Sequence, residues 1–401
     1  MADQAPVAAA APAASTPVAA EDAAARTVAS LAISDAVPAS TPAPEETPAA
    51  AAAADVPAHR SHDPANNAKR TDPFMFGQRF LTQEDDVFEY NAWDHVETDD
   101  AFKEYAEKQY ELQRSAPVSD FDKSRFNSDP AKWWNMFYKN NTANFFKDRK
   151  WLHQEFPVLT EVCEPDAGPK TILEIGAGAG NTAFPILARN KNPLLRIHAC
   201  DFSKTAVDVM RKDAAYDTKH MQADVWDAAG TGDDAMPPGL GPASVDVAIL
   251  VFIFSALSPS QWKQAVENVA RLVKPGGTVC FRDYGRGDLA QVRFRKGRYL
   301  EENFYIRGDG TRVYFFEKDE LVRIWTGKAE DTEAPIAGDM DKEEDGSFAN
   351  AENAEKTEAF FTEEDAPFTL ENMGVDRRLI VNRAMKLKMY RCWLQGRFRR
   401  K

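Results

Sequence analysis

The sequence lacks the features that mark three common classes of protein. No run approaches the roughly eighteen consecutive apolar residues that a membrane-spanning helix needs. The Ala-rich N-terminus resembles neither a secretory signal nor a transit peptide. None of the four cysteines stands in a CxxC pair, and their wide spacing disfavours a zinc site or a disulfide framework. We therefore expect a cytoplasmic protein without a metal site, in which Cys200 and Cys280 are buried in apolar strands.

An excess of basic residues is also missing, since the 401 residues include 63 acids and 49 bases, a net charge of −14. The acidity belongs to two segments, residues 1–70 with a net charge of −4 and residues 328–368 with −11. The remainder is near neutral, so the net charge says little about partners. Because both segments are poor in large apolar residues, we expect a disordered Ala/Pro-rich tail at 1–70 and a disordered acidic insertion at 328–368.

The rest of the sequence divides at about residue 157. Residues 71–157 are rich in aromatic and basic side chains, and their pattern predicts helices over 99–113 and 130–139. From residue 158 to 401, short apolar runs alternate with helical stretches, which predicts an α/β, Rossmann-like fold with a mostly parallel sheet covered on both faces. Two further β-like runs end the chain. The apolar runs are TILEIG, LRIHACD, KHMQADV, VDVAILVFI and TVCFRDY, and the helical stretches are 181–190, 203–215 and 259–273.

A glycine-rich loop follows the first apolar run, in the order Glu174-Ile175-Gly176-Ala177-Gly178-Ala179-Gly180-Asn181. Such a loop between a strand and a helix lets a ligand approach the backbone closely at the helix N-terminus. The dinucleotide fingerprint GxGxxG fails, because Asn181 stands where its third glycine belongs. The ExGxGxG pattern that opens class I S-adenosylmethionine (SAM) methyltransferases fits at every position.

Acidic residues close the next two strands. Asp201 can accept both hydroxyls of a ribose, Asp224 suits the amino group of adenine, and Val225 follows it to contact the ring. Val251, at the end of the fourth strand, is a further expected cofactor contact. Taken alone, each acid is equally well explained as a strand-end cap. The Lys274-Pro275-Gly276-Gly277 turn before the fifth strand is typical of methyltransferases and not of dehydrogenases, so the whole set predicts a SAM site.

Longer strings resemble one family, the eukaryotic methyltransferase-like enzymes that make 3-methylcytidine at position 32 of the tRNA anticodon loop. The resemblance covers about residues 74–326 and 375–397, and the FGQRFL…NAWD block is similar to the branch associated with threonine tRNAs. In two departures, Ala177 replaces a common Cys, and the acidic insertion is longer than usual. The strings are FGQRFL…NAWDHVE, WWNMFYKNNTANFFKDRKWLHQEFP, EIGAGAGNTAFPIL, CDFSKTAVDVM, VFIFSAL and RDYGRGDLAQVRFRKGRYLEENFYIRGDGTRVYFF.

This resemblance implies where the cofactor and the RNA bind. Trp134 and Tyr138, four residues apart on one helix face, are expected to close over the cofactor, whereas we expect core packing for Trp133. The residues expected at the edge of the base pocket are Phe145, Phe146 and Arg149. The residues expected on the RNA-binding surface include Arg286, Arg293 and Arg307, for which a solvated charged face is the alternative.

The implied reaction needs no general base. Cytosine N3 has a free lone pair, so the base must be unpaired, extruded and held in line with the methyl donor. Methylation leaves a cationic ring, and a nearby carboxylate would stabilise that charge. Asp283 is the candidate, with Tyr284 stacking on the base or hydrogen-bonding to it. The alternative for Asp283 is a salt bridge to Arg282 or Arg286.

The sequence therefore predicts a SAM-dependent tRNA cytidine N3-methyltransferase that acts on selected tRNAs, threonine tRNAs above all. Its expected partner is the anticodon stem-loop, with an aminoacyl-tRNA synthetase or an accessory protein as a candidate helper. Two alternatives remain open at this point. One is a methyltransferase that acts on protein or on a small molecule, and the other is a non-catalytic tRNA-binding scaffold with a vestigial SAM site.

Overall fold

The computed structural model describes residues 79–328 and 359–401. The predicted tail at 1–70 and most of the predicted acidic insertion lie outside the described residues. In the part of the chain that is described, no helix is long and apolar enough to cross a membrane.

An eight-stranded sheet forms the centre of the described chain, in the order β1-β10-β11-β6-β5-β2-β3-β4. Strands β2 to β6 run parallel to one another, whereas β1, β10 and β11 pair antiparallel. A small antiparallel sheet contains β7, β8 and β9. The strands are β1 (Ala92–Asp94), β2 (Lys170–Ile175), β3 (Leu195–Asp201), β4 (Met221–Val225), β5 (Val245–Val251), β6 (Val273–Tyr284), β7 (Tyr299–Glu301), β8 (Phe304–Ile306), β9 (Arg312–Tyr314), β10 (Phe368–Asn382) and β11 (Leu387–Arg400).

Several helices begin after a residue whose side chain caps the first turn. The carboxylate of Asp129 accepts a hydrogen bond from the amide of Lys132, and Pro130 opens that helix as predicted. Ser203 caps another helix through the amide of Ala206. The helices are α1 (Asp100–Arg114), α2 (Asp120–Ser128), α3 (Pro130–Asn141), α4 (Leu152–Glu155), α5 (Val158–Glu161), α6 (Ala183–Arg189), α7 (Lys204–Arg211), α8 (Pro259–Leu272), α9 (Leu289–Val292) and α10 (Lys318–Thr326).

Helices cover both faces of the parallel strands, as the alternating pattern predicts. Ile172 and Leu173 on β2 are both fully buried, yet they point to opposite faces. Ile172 belongs to the apolar cluster that includes Ile186 of α6 and Val207 of α7. Leu173 belongs to the cluster that includes α8 and α10, with Trp325 at its centre. A strand buried on both faces explains why the sequence shows continuous apolar runs there.

The aromatic region before residue 157 packs directly on this fold. Predicted helices at 99–113 and 130–139 are confirmed as α1 and α3. The sequence analysis did not anticipate β1, which extends the sheet by pairing with β10 and buries Trp93 completely. The indole N–H of Trp93 donates to the Val87 carbonyl oxygen at 2.8 Å. On α1, the Gln113 amide donates to the carbonyl oxygens of Gln291 and Val292, which ties this helix to α9.

The predicted C-terminal boundary of the acidic insertion is wrong by about ten residues. Residues 359–368 pack on the fold, although the acidic composition suggested that they would not. Ala366 and Phe368 are 1% and 0% exposed, and the Phe368 ring lies 5.3 Å from the ring of Trp325. Lys328 forms a 3.2 Å ion pair with Glu363. The apolar residues within this acidic stretch supply the buried area that offsets the cost of ordering it.

Candidate active site

The glycine loop adopts a backbone that other residues rarely reach. Gly176, Gly178 and Gly180 have φ values of 67°, 60° and 86°. A Cβ on Gly176 would lie 2.6 Å from Cγ1 of Ile253, and one on Gly178 would collide with the Tyr138 hydroxyl. Neighbouring side chains thus approach the loop so closely that a side chain at Gly176 or Gly178 would overlap them.

Asp201, at the end of β3, is hydrogen-bonded to this loop. Its Oδ2 accepts a hydrogen bond from the Gly178 amide at 2.9 Å, and its Oδ1 accepts one from the Ser203 amide at 2.8 Å. Burial raises the pKa of Asp201 to about 6, and the two amides partly oppose that rise. The carboxylate therefore joins the glycine loop to the N-terminus of α7, and each oxygen keeps a further lone pair for a ligand hydroxyl.

Glu174, at the end of β2, is a buried carboxyl group with unused hydrogen-bonding capacity. Burial raises its pKa to about 7, while Arg149, Thr182 and the amide of Ala183 favour its ionised form. Its Oε2 is buried and has no hydrogen-bond partner within the described residues. An orphaned acceptor beside a glycine cradle fits the ammonium and hydroxyl donors of SAM, so the residues present match the predicted cofactor.

Helix α3 covers the glycine loop with aromatic side chains. The rings of Trp134 and Tyr138 lie 6.2 Å apart and are nearly parallel. The Oδ1 of Asn135, between them in sequence, accepts hydrogen bonds from the Ser203 hydroxyl at 2.9 Å and from the Thr205 amide at 3.0 Å. These bonds attach α3 to the first turn of α7, so the predicted cofactor lid is held at the same strand end as Asp201.

The segment after α3 is attached to the glycine loop as well. The Arg149 amide donates to the Asn181 carbonyl oxygen at 2.8 Å, and the Asn181 side-chain amide donates to the Phe146 carbonyl oxygen at 3.3 Å. The Phe145 and Phe146 rings lie 4.8 and 5.6 Å from that of Phe137 on α3. The residues predicted for the base pocket thus adjoin those predicted for the cofactor.

The end of β4 presents a charged and an apolar group side by side. Asp224 forms a 2.9 Å ion pair with Arg211 and also accepts a hydrogen bond from Gln222. Val225 is 46% exposed, which is unusual for an apolar residue at a strand end. An acid next to an open apolar surface fits the predicted contacts with the amino group and ring of adenine.

Four planar side chains meet where β5 and β6 end. Phe252, the residue after Val251, has a φ of 58°, and such a conformation in a bulky residue costs about 1–3 kcal/mol. Its ring centroid lies 4.9 Å from that of Tyr284 and 5.8 Å from the guanidinium carbon of Arg149. The guanidinium carbon of Arg307 lies 5.6 Å from the Tyr284 ring centroid. Two cations therefore flank two aromatic rings at this edge of the sheet.

Asp283 is fully buried immediately behind Tyr284. Its Oδ2 accepts a 2.9 Å hydrogen bond from the Ser255 amide, and its Oδ1 accepts one of the same length from the Tyr284 amide. Burial raises the pKa of this carboxyl group to about 6, against the opposing effects of Ser255, the Tyr284 amide and Arg307. The group is therefore mostly ionised at neutral pH and places a negative charge in a site of low dielectric constant.

The salt bridges considered as the alternative for Asp283 do not form. Arg282 instead pairs with Asp376 at 2.6 Å, on the opposite side of β6 from Asp283. Arg286 pairs with Glu317 at 2.8 Å.

Comparison with known proteins identifies the family. Residues 173–279 match a methyltransferase domain. The chain is 47% identical over 327 residues to the tRNA(Thr) (cytosine(32)-N(3))-methyltransferase of Saccharomyces cerevisiae. The matched residues are 81% of this chain and 46% of that protein, so the chain spans about half the length of this relative. It is 46% identical over 325 residues to a tRNA N(3)-methylcytidine methyltransferase of Schizosaccharomyces pombe, covering 81% and 92%. The Drosophila melanogaster counterpart is 37% identical over 334 residues, covering 83% and 90%. The chain belongs to the tRNA N3-methylcytidine methyltransferase family.

This family member is thus a SAM-dependent methyltransferase, and the predicted fold class, enzyme class and cofactor are confirmed. Its structure brings all ten predicted cofactor residues to the edge of the sheet at which the parallel strands end. They surround the glycine loop or end the neighbouring strands, and they are Trp134, Tyr138, Glu174, Gly176, Gly178, Asn181, Asp201, Asp224, Val225 and Val251. Trp133 is 8% exposed and packs in the interior, as expected.

The predicted RNA contacts of this methyltransferase occupy different environments. Arg307 lies at the site, on the ring of Tyr284. Arg286 is engaged with Glu317 and with the ring of Tyr110, and Arg293 is exposed just after α9. Their roles in RNA binding stay predictions. Sequence reasoning missed Phe252, because a left-handed backbone at a non-glycine residue has no signature in the sequence.

Proposed function

We propose that this methyltransferase forms 3-methylcytidine at position 32 of the anticodon loop of selected tRNAs, threonine tRNAs above all. The observation that carries the proposal is the group of Arg149, Phe252, Tyr284 and Arg307 beside the glycine loop. Aromatic faces and guanidinium groups are what a protein uses to hold an unstacked RNA base. The name of the Saccharomyces cerevisiae relative supports the position and the tRNA, and that of the Schizosaccharomyces pombe relative supports the modified base.

The chemistry needs positioning more than proton transfer. Bound SAM supplies an electrophilic methyl group. Cytosine N3 attacks with its own lone pair, so the N3–CH3 bond forms as the sulfur–CH3 bond breaks, and the positive charge passes from sulfur to the base. The residues of the chain have to hold the base in line and keep water out. Tyr284, which is 5% exposed, supplies an aromatic edge of the dry pocket in this scheme.

Asp283 is proposed to stabilise the cation that forms on the base. Its negative charge is fixed by two amides and lies next to Tyr284, so it needs no rearrangement during the reaction. Because its pKa is about 6, the group loses this charge in acid. The rate of methyl transfer should therefore fall as the pH drops through about 6.

We also propose that the exposed cations around α9 contact RNA phosphates. Arg293, Arg295 and Lys296 are exposed and form no ion pair with another described residue. Arg286 is proposed to orient this region, because its ion pair with Glu317 ties the loop to α10. A synthetase or accessory protein as helper, and a cytoplasmic location, are further parts of the proposal.

The test is single-turnover methyl transfer by the full chain, with saturating labelled SAM and an unmodified threonine tRNA transcript. Label should enter the C32 transcript and not a matched U32 transcript. Asp283→Asn should retain tRNA binding and lose on the order of a hundredfold in rate. No transfer to the C32 transcript would refute the proposed substrate. A wild-type rate for Asp283→Asn would refute the proposed role of the carboxylate.

The same assay separates the two alternatives. A scaffold would bind the transcript without transferring label. A methyltransferase for protein or small molecules would label a cell extract after ribonuclease treatment and would ignore the transcript.

A further inference from the structure

The loop from Phe252 to Ser255 is held in an unfavourable conformation by several hydrogen bonds. The Phe252 amide donates to the Arg282 carbonyl oxygen at 2.8 Å, which joins the start of the loop to β6. The Ser255 amide donates to Asp283 at 2.9 Å, which joins its end to the same strand. Between them, Ile253 lies against Gly176 of the glycine loop. The strained residue is thus fixed from both sides.

The strain has a definite consequence for the ring of Phe252. A relaxed backbone would let this residue continue the alternation of β5 into the core, where Phe254 is fully buried. Instead the Phe252 ring is half-buried at the strand edge, between Arg149 and Tyr284. These two neighbours come from different parts of the chain, and both were predicted to contact the base. Strain that persists at such a place indicates a role in binding.

We propose that Phe252 is a substrate-binding residue of the methyl-acceptor site, whose ring forms the wall against which the extruded pyrimidine is held. The inference rests on the proposed function, because it assigns the acceptor to this edge. The wall adjoins the glycine loop through Ile253, so it sets the distance between the base and the methyl donor. An aromatic ring suits this role better than an aliphatic side chain, because a flat face supports a flat base.

The test compares Phe252→Tyr, which keeps the ring, with Phe252→Leu, which keeps the backbone strain and most of the apolar volume. Phe361→Leu is the matched control, because Phe361 is a half-buried phenylalanine that packs in the α8–α10 cluster. All are assayed for methyl transfer to a threonine-tRNA anticodon stem-loop, and for S-adenosylhomocysteine affinity by calorimetry.

Phe252→Leu should raise the KM for the stem-loop about tenfold or more and leave S-adenosylhomocysteine affinity within about twofold. Phe252→Tyr and Phe361→Leu should stay within about threefold of wild type in KM. A fluorescent cytosine analogue at position 32 should be quenched by the wild-type protein and by Phe252→Tyr, and much less by Phe252→Leu. This binding signal does not require turnover.

Several results would overturn the inference. One is an unchanged KM and unchanged quenching in Phe252→Leu. Another is an equal loss of S-adenosylhomocysteine affinity, which would make Phe252 part of the cofactor wall. If Phe252→Leu does not fold, Phe252→Met takes its place under the same criteria. Failure of the wild-type protein to methylate the stem-loop would instead refute the proposed function, which keeps the two failures apart.

Discussion

Three carboxyl groups at the ends of parallel strands are buried at the active site, and burial raises the pKa of each. The pKa values of Glu174, Asp201 and Asp283 are about 7, 6 and 6. Asp201 and Asp283 each accept hydrogen bonds from two backbone amides, whereas Oε2 of Glu174 has no partner among residues 79–328 and 359–401. A protein keeps such costly groups where a ligand will use them. The buried carboxyl group of Glu174, with its unsatisfied Oε2, should therefore limit the stability of the cofactor-free protein.

Replacing Glu174 by Gln tests this in a pH-dependent way. The folded pKa of about 7 exceeds the ordinary value of 4.5, so between these values the folded chain binds a proton that the unfolded chain does not. This group's contribution to stability is therefore least favourable above pH 7 and improves as the pH falls toward 4.5. Relative to Glu174→Gln, the wild type should gain on the order of 2 kcal/mol between pH 8 and pH 5.

The measurement is urea unfolding of both proteins without cofactor at several pH values. The difference between them cancels the titrating groups that do not interact with Glu174. A difference that stays constant with pH would show that Glu174 does not titrate in this range.

At the scale of elements, α3 connects the cofactor side of the site with the base side. Trp134 and Tyr138 on α3 face the glycine loop, while Trp133 lies against Gly310 in the turn between β8 and β9. The same turn begins at Arg307, whose carbonyl oxygen accepts the Gly310 amide at 3.0 Å. Packing at Trp133 thus helps to place the guanidinium group that covers Tyr284.

Gly310→Ala should disrupt this contact, with Gly308→Ala in the same turn as its control. Gly310 has a φ of 85°, and a Cβ there would overlap the Trp133 ring, whereas a Cβ on Gly308 would meet nothing within 4 Å. We expect Gly310→Ala to lose about 2–3 kcal/mol of unfolding free energy and to slow methyl transfer, and Gly308→Ala to change neither appreciably. Urea unfolding and the single-turnover assay measure the two effects. Equal stability of the variants would contradict the close packing seen here.

At the scale of the whole molecule, the described residues that flank the acidic segment on its two sides lie close together. Gly327, which ends α10, lies so close to the backbone of residues 361–362 that a Cβ on it would be 2.7 Å from the Phe361 carbonyl oxygen. Phe360 and Phe361 pack against the cluster that contains Trp325. The boundary of the dispensable segment should therefore lie before residue 359.

Two deletions separate the packed residues from the rest. Removing 330–358 should change the unfolding free energy by less than about 0.5 kcal/mol, because that sequence has few apolar groups to bury. Removing 330–366 also takes away Phe360, Phe361 and Ala366, and should cost at least about 2–3 kcal/mol. Thermal and urea unfolding measure the stability of both deletion variants. Each deletion is also measured in a chain that lacks residues 1–70. A marked loss of stability in the shorter deletion would show that the acidic segment packs on the fold.

Much of the fold could be predicted because hydrophobic period and glycine position are properties of the local sequence. The runs around Leu173, Ala199 and Ile249 are apolar at successive positions, as strands buried on both faces must be. Glu174, Gly176, Asp201 and Asp224 could be placed close together because the ends of parallel strands meet at one edge of the sheet. Strand β1 escaped prediction, since three residues at a sheet edge carry too little pattern to be recognised.

The sequence by itself determined the order of the elements in the Rossmann-like core, the family and the identity of the strand-end acids. Only the tertiary structure decided which partner each charged group takes, since a hydrogen bond depends on distances between residues far apart in the chain. It joined Asp283 to Ser255 and not to Arg282, and it paired Arg286 with Glu317. It also turned the ring of Phe252 to the strand edge through a backbone conformation that neighbouring elements impose. Only the tertiary structure decided that residues 359–368 belong to the fold, because the burial of a segment depends on the surface against which it packs.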